Sequence, residues 1–230
     1  MHARSDTGGD EPAKGDRDEL PEGRRDRREA LLGAAIDLFA ERAYENVSVD
    51  EICAQACVAH GLLSYHFGGK RGLFAAAVSR VCKDLTAFEK PLESEITVVE
   101  RFHGHLSRHF AYIRTHPARF RLMMRPGHAD PEISEILRST RRDAVREIEM
   151  ALGCPEGAPP RLAMAIAGWA DFVDTVTLHY IEDSSLRVEE ITDMCAQVLV
   201  AAVRSASDMR ADTAFELEAL SRVVTPGLGV

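Results

Sequence analysis

The chain contains no apolar run approaching the ~18 to 20 residues that cross a bilayer, no Cys-x-x-Cys pair, and no stretch with the period-two alternation of a strand. The first absence argues against a membrane span, the second against a zinc ribbon, and the third against a sheet. Its five cysteines (Cys53, Cys57, Cys82, Cys154, Cys195) are odd in number and fit no complete disulfide framework, so they read as reduced packing residues. Also missing are DDxxD, a phosphate-binding GxxxxGK[ST] loop, GxGxxG, HExxH and any Ser/His/Asp or Cys/His constellation, which leaves little basis for an enzyme. The opening MHARSDTGGDEPAKGDRDEL lacks the apolar stretch of a secretory signal, so a cytoplasmic location is expected.

What is present suits a soluble, well-packed protein: 230 residues, 45% hydrophobic and 28% charged, enough for one or two domains. The net charge of -9 argues at first against a nucleic-acid partner, because phosphates are neutralised by Lys and Arg. Its distribution reverses that argument: residues 1–23 sum to -4, 24–90 to +1 and 91–230 to -6. An acidic remainder around a near-neutral segment discourages non-specific binding to DNA.

Residues 1–23 mix Gly, Pro and charge with almost no large apolar side chain and read as a disordered tail. Leu32, Ile36, Phe39 and Ala43 then recur at steps of four and three, predicting a helix over 25–43. Ser48 and Glu51 form an S-x-x-E capping box that starts a short helix over 49–56. Another short helix spans 59–66, sequence AHGLLSYH, and Gly68-Gly69 ends it. Further helices are predicted over 73–90, 96–115, 117–124 and 131–152, with two long ones after Pro160. In those two, Leu162, Ile166, Trp169, Val173, Val176 and Tyr180, then Val188, Ile191, Cys195, Val198 and Ala202, keep steps of four and three. The fold class is therefore all-α.

Three short helices with tight connections between 25 and 67 have the dimensions of a supported helix-turn-helix, whose second paired helix would enter the major groove. Gly61 permits close backbone approach, while His60, Ser64, Tyr65 and His66 offer hydrogen-bonding groups; Lys70 adds a cation at a helix start suited to phosphate. Leu63, Phe67 and Phe74 read as core, and Leu62 as exposed. The arginine-rich run at 24–29, with Arg25 in it, is suited to a solvated helix start or to phosphate and the minor groove.

The stretch LLGAAIDLFAERAYENVSVDEICAQACVAHGLLSYHFGGKRGLFAAAV resembles the tetracycline-repressor (TetR) family of bacterial regulators, with AA-x2-LF, V-S-V-x-x-I, YHF and x-x-K-x-x-L in order and spacing. The resemblance implies a homodimer that sets two recognition helices into successive major grooves of a near-palindromic operator on double-stranded DNA. It implies that Tyr65 and Lys70 contact phosphates, that the Ser48 end of the second helix sits on the backbone, and that His60 and Gly61 face bases. His66 would support the helix or reach phosphate. Ala59, Leu62 and Ser64 complete the recognition segment. Three positions depart from the family pattern: Cys57 stands at the turn glycine, Ala59 at the Ser/Thr cap, and Ser64 at the first of two positions often both aromatic.

The expected organisation is a DNA-binding domain over 24–70, an effector-binding and dimerisation domain over 71–207, and a tail of uncertain structure over 208–230. The small-molecule effector is expected among Phe88, Phe102, Leu106, Phe110, Met123, Met124, Trp169 and Phe172, and the dimer contact along Leu162, Ile166, Val173, Val176, Tyr180, Ile191, Cys195, Val198 and Ala202. Phe120 can be core or pocket. Asp171 and Asp174 suit a solvated face or a pocket carboxylate. His103, His105 and His109 invite a metal reading, but a two-His pair one turn apart lacks a third ligand, so neither metal nor other cofactor is expected. The expected function is a repressor released by its effector; the alternative is a helical ligand-binding or protein-interaction module that does not act on DNA.

Overall fold

The computed structural model describes residues 22–124, 130–183 and 185–206, all in helices and their connections. Both expected tails lie essentially outside the described residues. The first four helices are α1 (Glu22–Glu41), α2 (Val49–Gln55), α3 (His60–Phe67) and α4 (Lys70–Glu89). They are followed by α5 (Val98–Thr115), α6 (Pro117–Met124), α7 (Pro131–Ala151), α8 (Pro160–Glu182) and α9 (Val188–Ala206).

Local chemistry accounts for several boundaries. A 3-10 turn at Tyr44–Asn46 ends the first helix short of the predicted residue 43. Helix α4 starts at Lys70, three residues before the predicted start, because Gly69 takes a φ of 119° that an L side chain rarely adopts. Helix α5 opens on a second capping box: Thr97 accepts from the Glu100 amide, and Glu100 accepts from the Thr97 amide at 2.9 Å. Asp130 caps α7 and also receives the Arg71 guanidinium at 2.9 Å, tying the start of α4 to the start of α7.

Three packed groups fill the interior. The first joins Leu31, Ile36 and Phe39 of α1, Ile52 of α2 and Leu63 of α3 to Leu73, Phe74, Val78 and Val81 of α4, with Leu122 and Ile133 from later helices. The second joins Leu106 and Phe110 of α5 to the inward stripes of α8 and α9. Within it the Trp169 indole N–H donates to the Cys195 carbonyl at 2.8 Å, linking α8 to α9. A smaller third group holds Leu85, Tyr112, Ile113 and Phe120.

This packing bears on two expectations. Leu162, Ile166, Val173, Tyr180, Ile191 and Cys195 are buried within the one chain, so the apolar seams join α8 and α9 to α5 and to each other. Val176, Val198 and Ala202 are half-buried beside them. The six buried side chains offer a symmetry mate little surface, whereas Val176, Val198 and Ala202 keep part of theirs. The eight expected effector residues are spread over more than one packed group. Phe102, Leu106, Phe110, Trp169 and Phe172 pack in the second group, Met123 and Met124 border the third, and Phe88 is exposed on α4. Asp171 and Asp174 are engaged by Arg141 of α7, which ties α7 to α8.

Replacing Trp169 with Phe removes the indole N–H that joins α8 to the Cys195 carbonyl while keeping an aromatic ring. The expected loss is about 0.5–1.5 kcal/mol of unfolding free energy, read by urea titration followed by circular dichroism.

Candidate nucleic-acid interface

Helices α2 and α3 are short; α2 is held at its start by a capping box and α3 by its buried face. At the start of α2 the Ser48 hydroxyl accepts from the Glu51 amide at 3.2 Å and Glu51 Oε2 accepts from the Ser48 amide at 2.8 Å. Arg42 donates to the other Glu51 oxygen at 2.9 Å. The Ser48 amide, followed by the Arg42 guanidinium, holds the Glu51 pKa at about 2. Its lasting charge suits the positive end of the α2 dipole.

The turn out of α2 is a Schellman motif, in which the Val58 amide donates to the Cys53 carbonyl at 3.0 Å and the Cys57 amide to the Ala54 carbonyl at 3.2 Å. The motif requires a left-handed residue, and Cys57 supplies it at φ 54°. Ala59 then begins α3 without a side-chain cap bond. The turn is therefore built from two residues poorly suited to it, and its geometry is imposed by the packing on either side.

Helix α3 divides cleanly by face. Leu63 is fully buried in the first core, and Phe67, one turn later, is half-buried against it. His60, Gly61, Ser64 and Tyr65 form the outward stripe, at the i, i+1, i+4, i+5 spacing of one helical face, with Tyr65 65% exposed. A Cβ placed on Gly61 meets nothing within 4 Å, so its approach surface is open. His60 Nε2 lies 3.4 Å from Asp50 Oδ1 on α2. Leu62, expected on the surface, is half-buried and turns toward α1.

The flank of α3 forms a shallow cleft lined by Arg27, Leu62, Tyr65 and His66. His66 Nε2 is buried there with no hydrogen-bond partner among the described residues. Arg25, expected at this surface, is exposed on α1 and does not line the cleft. Arg27, within the arginine run at 24–29, lies one turn before the fully buried Leu31 and is itself exposed, at the edge of the cleft. Arg28 stacks on the Phe67 ring at 5.0 Å, which places part of the arginine run against the end of α3.

Beyond Gly68, whose φ of 70° ends α3, the first turn of α4 has no side-chain cap, so its amides remain open beside Lys70. The Lys70 ammonium lies 4.2 Å over the Tyr44 ring, a contact that holds the cation at this helix end. Gly72 escaped sequence reading. A Cβ there would stand 1.9 Å from the Phe67 carbonyl oxygen, so only glycine allows the starts of α4 and the end of α3 to approach this closely.

The three histidines of α5 do not assemble with other ligands. His103 pairs with Asp193 at 3.2 Å and His109 with Glu89 at 2.7 Å, while burial pushes the His105 pKa down. Among the described residues no three His, Cys, Asp or Glu side chains are grouped to hold a metal ion.

Two substitutions test this geometry in opposite directions. Cys57→Gly relieves the left-handed residue and raises stability by about 1 kcal/mol. Gly72→Ala drives a methyl into the Phe67 backbone and lowers the melting temperature, as thermal unfolding of both variants would record.

Comparison with known proteins agrees with this arrangement. Residues 31–77 match the model for bacterial regulatory proteins of the tetR family, and residues 98–202 match that for the tetracyclin repressor-like C-terminal domain. A tetR-family transcriptional regulator from Streptomyces coelicolor superposes with a TM-score of 0.69 at 27% identity, over 87% of this chain and 88% of that one. A putative transcriptional regulator from Pseudomonas aeruginosa PAO1 shares the fold, with a TM-score of 0.62 at 18% identity over 80% of this chain and 95% of that one. An HTH-type transcriptional repressor of Mycobacterium tuberculosis is 38% identical over 86 residues, 37% of this chain. That match spans 45% of the repressor's length. With both characteristic regions matched in order and α3 displayed as a helix-turn-helix requires, this chain belongs to the TetR family of regulatory proteins.

Proposed function

We propose that this protein is a DNA-binding transcriptional regulator that represses by occupying a near-palindromic operator as a homodimer and leaves it when a small molecule binds. The observation that carries the reading is the outward stripe of α3. His60, Gly61, Ser64 and Tyr65 project from a helix whose opposite side is anchored by Leu63. His60 and Gly61 would face base edges, with Ala59 and Ser64 at the groove wall. Tyr65, Lys70 with the open α4 amides, and Ser48 at the start of α2 would hold phosphates. Arg27 of α1 and His66 of α3, which share the cleft, extend the phosphate track, and Arg25 approaches the duplex from α1. The repressor name of the mycobacterial relative favours repression over activation. The location consistent with this role is the cytoplasm; no helix among the described residues is long and apolar enough to cross a membrane.

The second copy would meet the faces of α8 and α9 that the chain itself leaves uncovered. On α8 these are Met164, Gly168, Asp171 and Thr175, and on α9 Met194, Gln197, Ala201 and Ser205, again at steps of three and four. Small and flexible side chains here allow helices to approach across a twofold axis as a four-helix bundle. Residues 24–70 then act as the reading head and 71–207 as the sensing and pairing body, with α4 common to both.

Selection from a random duplex pool should recover a palindrome. Tyr65→Ala and Lys70→Ala are expected to weaken binding to every duplex, Lys70→Ala with a salt slope smaller by about one per site, whereas His60→Ala relaxes sequence preference. A folded protein that shifts no duplex would favour the alternative, a helical binding module that does not act on DNA. Sedimentation supplies a separate check: Gly168→Arg, which faces open space in one chain, should yield monomers. Leu162→Ala should lower stability by about 2–5 kcal/mol without changing stoichiometry.

A further inference from the structure

The effector half of the function proposed above needs a site, and the smallest of the three packed groups has an uncommitted polar atom. Tyr112 on α5 is only 5% exposed, and its hydroxyl is buried with no hydrogen-bond partner among the described residues. A buried hydroxyl without a partner is costly, and a core that required packing alone would be satisfied by phenylalanine. The surroundings are apolar and ring-rich. His116 stacks on the Tyr112 ring at 4.6 Å, Phe88 tilts against it at 5.4 Å, and Leu85 and Phe120 pack in the same group.

The border of this group differs from its centre. Met123 and Met124 of α6 and Leu178 and Ile181 of α8 are only half-buried against it, so the group is bordered by incompletely covered side chains. Methionines in such a position repack readily around an inserted body. His109, which meets Phe120 edge-on at 5.9 Å, is engaged by Glu89 at 2.7 Å and Thr177 at 3.1 Å, and His116 Nδ1 faces the Thr115 hydroxyl at 2.8 Å. Among the described residues of this group, the Tyr112 hydroxyl is the buried side-chain polar atom without a hydrogen-bond partner.

We infer that the Leu85/Tyr112/Phe120 group, bordered by Met123 and Leu178, is a ligand site for a small phenol-like molecule: an apolar ring carrying one hydroxyl that pairs with the Tyr112 hydroxyl. Entry of a ring would spread α6 and α8 from α4 at Leu85. The first half of α4 is packed against α1 and α3, so the same event bears on the recognition helix.

The test uses the full chain without DNA and two shape-matched probes, 4-ethylphenol and 4-ethyltoluene, with affinity measured by calorimetry and position by chemical-shift changes at Tyr112 and Met123. The wild type is expected to prefer the phenol by about tenfold, the ratio that one net hydrogen bond supplies. Tyr112→Phe should abolish that preference, retain 4-ethyltoluene binding, and melt at or above the wild-type temperature. No binding of 4-ethylphenol at this group, an undiminished preference in Tyr112→Phe, or a lower melting temperature for that variant would each overturn the inference. A gel shift of the selected duplex, run separately without either probe, reads the DNA-binding function alone, so failure of the site and failure of that function give different results.

Discussion

Helix α4 belongs to more than one core, and the rest of the arrangement depends on that sharing. Its first half supplies Leu73, Phe74 and Val78 to the group that contains α1, α2 and α3. Leu85 belongs to a separate group with α5 and α6. Its final residue, Glu89, accepts a hydrogen bond from His109 of α5, which in turn meets Thr177 of α8. Close-packed interiors do not stretch, so a displacement at one end of this helix must be carried to the other or absorbed by repacking. The α1–α3 unit and the body formed by the later helices, joined by one continuous helix, are mechanically coupled by construction. Gly72 is where this coupling is tightest, because the α4 backbone there lies against the Phe67 carbonyl at the end of α3.

The recognition helix itself has weak local support. Cys57 takes a left-handed conformation that glycine would adopt at lower cost, and Ala59 leaves the α3 start without a side-chain cap. Support comes from neighbours instead. The Ser48–Glu51 box with Arg42 holds the start of α2, Leu63 anchors the middle of α3, and Arg28 lies over the ring of Phe67 near its end. A helix held by packing on one face can leave the other face to residues chosen for contact rather than for stability. Its outward residues are accordingly a glycine, a serine and two ring-bearing polar side chains.

Much of the fold was legible because its causes are local. Helical period, proline and glycine punctuation and the Ser48–Glu51 box act within a few residues, and the predicted helices stand close to their observed bounds. The Thr97–Glu100 box was equally local, and reading it would have moved the start of α5 to its observed place. Arg27 was legible as one member of the arginine run at 24–29; that it, and not Arg25, borders the α3 cleft is set by how α1 lies beside α3. Gly72 was not legible at all, since what it meets lies on another helix.

The sequence by itself determined an all-helical chain, the order of its segments, and which residues share the outward stripe of α3, because spacing along a helix decides which side chains point the same way. Only the tertiary structure decided what each apolar stripe is covered by. The α8 and α9 seams, read as surfaces for a second copy, are closed by α5 and by each other, and the residues expected to enclose a ligand are divided between two packed groups. The physical reason is that burial is favourable whichever surface supplies it: periodicity reveals that a face will be buried, while the identity of its partner is settled by how all the helices pack at once.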